Sequence, residues 1–209
     1  MLLPPEVALS FFGVAALLAL SPGPDNLFVL TQSVLWGRSA GLWVVLGLCT
    51  GVLGHTVAVA VGLAAVFAAS QTAFLVVKLA GAAYLLYLAW GALRAGASSL
   101  EGQRPPRQTA GQLYRRGAIM SLTNPKVTIF FLAFLPQFAS PLRGSIGMQM
   151  FLLGLLFMLA AFLVFSLIAI FSGSLGERLQ RSPAVQRWLN RAAGVVFIGL
   201  ALKLLTSER

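Results

Sequence analysis

The sequence predicts an all-α integral membrane protein: six transmembrane helices arranged as two inverted three-helix repeats, with helices 1 and 4 broken by proline. Three observations carry that expectation. The 209 residues are 58% hydrophobic and only 10% charged, against about 25% charged in soluble domains, and mean hydropathy is +0.88. The basic residues lie between apolar runs, each long enough to cross a hydrocarbon core of about 30 Å as a helix. A proline break in the first run also returns, with altered charge, in the fourth.

The spans expected in order are Leu9 to Val34, Leu42 to Ala68, Ala73 to Leu93, Ala118 to Phe138, Ile146 to Phe171 and Leu189 to Leu205. The N-terminal stretch Met1 to Ser10 lacks Lys and Arg. The run after it is too long for a signal-peptide core, so it reads as a retained first span. Little more than Ser70-Gln71-Thr72 separates spans two and three. Arg94 to Arg116, with Pro105-Pro106 and no hydrophobic periodicity, reads as a flexible linker. The chain is thus one transmembrane domain over 1–209, with a first repeat of about 1–94, a linker of about 95–116 and a second repeat of about 117–209.

Arg38, the five arginines from Arg94 to Arg116 and the four from Arg178 to Arg191 follow the odd-numbered spans, ten residues against the three of Arg143, Lys203 and Arg209. By the positive-inside rule the odd connections are cytoplasmic and both termini lie outside. The net charge of +10 is therefore a topology signal, and nucleic acid is not an expected partner.

The repeat rests on two matches. Ser21-Pro22-Gly23-Pro24-Asp25 precedes an apolar run and then Gly37-Arg38-Ser39-Ala40-Gly41; Thr123-Asn124-Pro125-Lys126 precedes Val127 to Phe138 and then Arg143-Gly144-Ser145-Ile146-Gly147. Three spans per half is an odd number, so the second copy enters from the other side, the arrangement of alternating-access carriers.

Ser21, Pro22, Gly23, Pro24 and Pro125 mark the helix breaks, which free backbone groups at membrane depth. Such groups persist only where protein or a watery cavity surrounds them. A carboxylate there costs about 2.5 to 3.5 kcal/mol, so Asp25, the one acid within an apolar run, points to a polar site. Asp25 and Lys126 follow the prolines at matched positions. They suit either a mutual ion pair or recognition of a zwitterion, Asp25 holding an ammonium and Lys126 a carboxylate, with Asn26 and Asn124 adding neutral hydrogen bonds. A purely architectural pair locking two bent helices is the other reading; desolvation makes a buried pair a poor source of stability, which favours function.

Lys78 either snorkels to the outer interface or serves a cavity. Tyr84 can offer a hydroxyl to the site, and Tyr87 suits an interface. His55 is a proton carrier or a helix-packing histidine. Gly47, Gly51 and Gly54 permit close helix approach, and Thr31 and Gln32 are polar glue. One His, one Cys and one intramembrane acid build neither a metal site nor a catalytic triad, and no Walker or dinucleotide motif is present. No cofactor is expected, nor an enzyme. The lone Cys49 excludes a thiol oxidoreductase relay within one chain.

Ser21-Pro22-Gly23-Pro24, then Lys78 with Gly81, Tyr84, Leu85 and Tyr87, then Arg116-Gly117 and Asn124-Pro125-Lys126 together resemble the LysE/RhtB family of bacterial amino-acid exporters, over nearly the whole chain. That resemblance implies six helices in the bacterial inner membrane and secondary export of amino acids or close derivatives, driven by protons, from a small carrier able to form a homodimer. Asp25 and Lys126 match the family's motif positions, and Asp25, Lys78 and His55 are the candidates for coupling. A membrane interaction or assembly subunit without transport is the alternative; in it the basic loop, not the intramembrane charges, would matter.

Overall fold

The computed structural model describes residues 1–21, 23–63, 71–94, 106–172 and 183–206, and all regular structure among them is helical. Helix α1 is Pro5–Leu20 and α2 is Pro24–Trp36; α3 is Arg38–Ala58, prolonged by a π-helical turn at Val59–Leu63. Helix α4 is Gln71–Arg94 and α5 is Ala110–Thr123. Helix α6 is Pro125–Ile129, followed by a π turn at Phe130–Phe134 and a 3-10 turn at Leu135–Phe138. Helices α7 (Ile146–Phe171) and α8 (Pro183–Thr206) complete the chain.

Local chemistry explains where these helices start. Pro5, Pro24 and Pro125 stand in first turns, where the missing N–H has no partner to lose and φ is already helical. Thr109 and Gln112 form a capping box on α5: the Thr109 hydroxyl accepts from Gln112 N, and the Gln112 side chain accepts from Thr109 N at 2.8 Å. Gly37 and Gly144, at φ +85 and +99, are the described residues with positive φ. Each turns the chain just before the next long helix, a geometry that costs glycine little.

The fourth span was expected from Ala118, but α5 begins at Ala110. Residues 110–116 are therefore helix, not linker. The capping box starts this helix, and within it Leu113 is buried and Tyr114 packs against α3. Residues 95–105 of the expected linker lie outside the described residues, as do Pro22 and the connections at 64–70 and 173–182.

The two expected breaks take the form of bent helix pairs. Helices α1 and α2 meet at 62°, and α5 meets the segment from Pro125 to Phe138 at 48°. Among the described residues, Arg38–Gly62 and Ile146–Phe171 are long and apolar enough to cross a bilayer, and the number rises to four if each bent pair is one span.

Helix α3 packs on α5 and α7, α1 on α7, α2 on α3, and α4 on α8. Lipid is as apolar as leucine, so helix association inside it depends on close packing and hydrogen bonds rather than on hydrophobic burial. The α3–α5 crossing shows this. A Cβ on Gly47 would strike the Tyr114 carbonyl, one on Gly51 would lie 2.5 Å from Ser121 Cβ, and one on Gly117 would lie 2.5 Å from the Val44 carbonyl. Thr50 and Tyr114 share a hydrogen bond of 2.9 Å across the same seam. Around α6 the core is aromatic: the Phe11 ring lies 5.1 Å from Phe138, and Phe130 lies 5.2 Å from Phe157.

Candidate functional site

The two breaks meet: the second caps the end of α1, and the first holds the residue that caps α6. A helix ends with carbonyls that have no partner and with partial negative charge. Lys126, in the first turn of α6, sends its ammonium across to the end of α1, donating to Leu18 O at 3.3 Å and Ser21 O at 3.1 Å. Asp25 stands in the first turn of α2, where free N–H groups favour an anion. Its Oδ2 accepts from Asn124 Nδ2 at 2.8 Å. Asn124 is in turn the N-cap of α6, its Oδ1 accepting from Lys126 N at 3.0 Å. Asn26 Nδ2 donates to Ala19 O at 2.7 Å and binds the start of α2 to the end of α1. Gly23 lets the chain pass: a Cβ there would stand 3.1 Å from Lys126 Nζ.

Asp25, Asn26, Asn124 and Lys126 are all buried, and Asp25 is only 3% exposed. The ammonium's hydrogen bonds go to backbone carbonyls and the carboxylate's to an amide. No hydrogen bond joins the two charges directly. The site also keeps unused capacity, since Asp25 Oδ1, Asn26 Oδ1, Ser21 Oγ and Ser121 Oγ are buried without a hydrogen-bond partner. Leaving such groups unmatched costs about 1–3 kcal/mol each.

Asp25, Lys126 and Ser121 border a small cavity of about 10 Å³, whose other walls include Leu18, Phe157 and Phe165. That is room for about one water, so this conformation has no space there for an amino acid. Ser121 is the polar wall residue that sequence reasoning missed; its one signal is its place on the last turn of α5, beside the break.

Other expected site residues lie elsewhere. His55 donates from Nε2 to Ser121 O at 3.1 Å and lies 5.7 Å from the Phe131 ring, at the end of α5. Lys78 and Tyr84 are half-buried on α4, and the Tyr84 ring lies 5.9 Å from that of the exposed Tyr87. Neither borders the cavity. Among the described residues no three His, Cys, Asp or Glu side chains cluster as metal ligands.

The profile of the LysE type translocator family matches residues 16–208, which takes in both breaks. The chain belongs to the LysE family of translocators. Relatives of this LysE-family chain include the homoserine/homoserine lactone efflux protein of Salmonella typhimurium, 33% identical over 93% of each chain. An uncharacterized membrane protein of Vibrio cholerae is 30% identical over 97% of this chain and 98% of its own. The membrane protein YrhP of Bacillus subtilis is 28% identical over 93% of this chain and 96% of its own. No solved structure matches the chain.

Proposed function

We propose that this LysE-family protein is a secondary exporter of amino acids or close derivatives, working by alternating access and driven by the proton gradient across the bacterial inner membrane. The observation that carries the proposal is the junction of the breaks. Two buried opposite charges are held there by groups that a zwitterion can replace: a substrate ammonium takes the free Oδ1 of Asp25, and a substrate carboxylate takes Lys126 from the carbonyls of Leu18 and Ser21. Asn26 and Asn124 supply neutral hydrogen bonds, and Asp25 exchanges the coupling proton. Relatives named for homoserine and homoserine lactone efflux make homoserine the first substrate to try.

The six-span inverted repeat belongs to the same reading, with a first repeat of about 1–94, a second of about 117–209, and both termini outside. Its support is that the two halves share one local grammar. Gly23 and Asn124 are N-caps, Pro24 and Pro125 follow them, then come Asp25 and Lys126, and each half turns at a positive-φ glycine, Gly37 or Gly144. Because the cavity is too small for an amino acid, substrate enters only if one half rocks against the other. A homodimer is compatible with this reading and contributes no residue to it.

The test is efflux of labelled L-homoserine from preloaded cells that lack their own exporters. Cells making the protein should lose the label several-fold faster than controls, and a protonophore should abolish the difference at constant ATP. Equal efflux with and without the protein contradicts the proposal.

A further inference from the structure

Helix α2 also faces an open cleft of about 330 Å³, separate from the small cavity and bordered by Pro24, Phe28, Thr31, Gln32, Gln108 and Arg116. Its size falls at the small end of ligand sites, about 300–1,000 Å³. Two of its walls are chemically prepared. The Arg116 guanidinium lies 4.7 Å over the Phe28 ring, a cation–π seat that leaves the N–H edge of the plane available for a carboxylate. Among the described residues no acidic side chain borders the cleft to occupy that edge. Gln32 is only 3% exposed, yet its Oε1 has no hydrogen-bond partner, so a buried acceptor stands ready for a donor. Thr31 adds a hydroxyl beside it.

We propose that this cleft is a first binding station for the main chain of an α-amino acid, Arg116 taking the carboxylate through two parallel hydrogen bonds and Gln32 taking the ammonium. The station rests on the export reading above. It lies on the side carrying Arg38, Arg115 and Arg116, which the positive-inside rule makes cytoplasmic, and so on the side from which an exporter loads. Pro24 borders the cleft and the next residue, Asp25, borders the small cavity. The two sites thus adjoin at the start of α2, and bending at the α1–α2 break is the motion that would connect them.

The experiment is equilibrium binding of two probes, L-homoserine and L-homoserine lactone, to the purified full chain. Both carry an ammonium; only homoserine carries a carboxylate. Asp25→Asn, with Lys126→Gln as a second variant in case the first elutes as aggregate, disables the deep site and should still bind homoserine. Adding Arg116→Gln should weaken homoserine at least tenfold and leave the lactone unchanged. Adding Gln32→Leu should weaken both probes by a similar factor. Loss of all homoserine binding in the folded deep-site variants, or an Arg116→Gln effect equal for the two probes, overturns the proposal. Cleft binding without any cellular efflux contradicts export alone, and efflux with wild-type KM in Arg116→Gln contradicts the station alone.

Discussion

Lys126 is placed against the ordinary preference of its own helix, since a cation in a first turn opposes the helix dipole. It is stabilised instead at the far end of its side chain, by the carbonyls that close α1. Removing one buried charge alone leaves the other uncompensated, at a cost of about 3–5 kcal/mol. Thermal unfolding in detergent should therefore show Asp25→Asn with Lys126→Met together losing less stability than the two single losses added; strict additivity would mean the charges do not sense each other. His55 holds the Ser121 carbonyl, so His55→Gln, which keeps a donor, should retain export, whereas His55→Leu should lower stability by about 1 kcal/mol. Export abolished in a folded His55→Gln protein would return the histidine to a coupling role.

Helices α3 and α5 cross in close contact at Gly47, Gly51 and Gly117. Gly117→Leu and Gly51→Leu should destabilise by at least 1–3 kcal/mol, while Gly91→Ala, where an added Cβ meets nothing within 4 Å, should gain up to about 1 kcal/mol of helix propensity. Thr109→Ala should cost about 1 kcal/mol through the lost capping box. Chemical unfolding of the three classes of variant checks the order. The breaks were legible in the sequence because proline, glycine and a charge in an apolar run have few physical explanations. The start of α5 was not: Arg94 to Arg116 shows no hydrophobic periodicity, and the signal that marks the helix start is the short capping box of Thr109 and Gln112. Nor could composition show that Lys126 reaches the end of α1 rather than Asp25. That choice depends on where two bent helices bring their ends, 105 residues apart in the chain for Ser21 and Lys126.

For the whole molecule, hydropathy and charge placement were enough to read an all-helical membrane protein, and the motifs were enough to read its family. The cleft at Arg116 was invisible at that level, because Gln32 and Thr31 look like ordinary helix contacts until α5 is laid beside α2. The proposed orientation rests on the arginine distribution and is open to a direct check. In a Cys49→Ala background, Leu142→Cys, 97% exposed at its loop tip, should react with an impermeant thiol reagent from outside intact cells, and Ser39→Cys should react only after lysis; the reverse pattern would invert the topology. The central claim is that the junction of the two breaks is the substrate site of a carrier. Homoserine counterflow in proteoliposomes tests it most directly, comparing wild type with Asp25→Asn and Lys126→Gln reconstituted at equal levels and with intact folds. The expected result is at least a tenfold loss in each variant; wild-type counterflow in either one would contradict the claim.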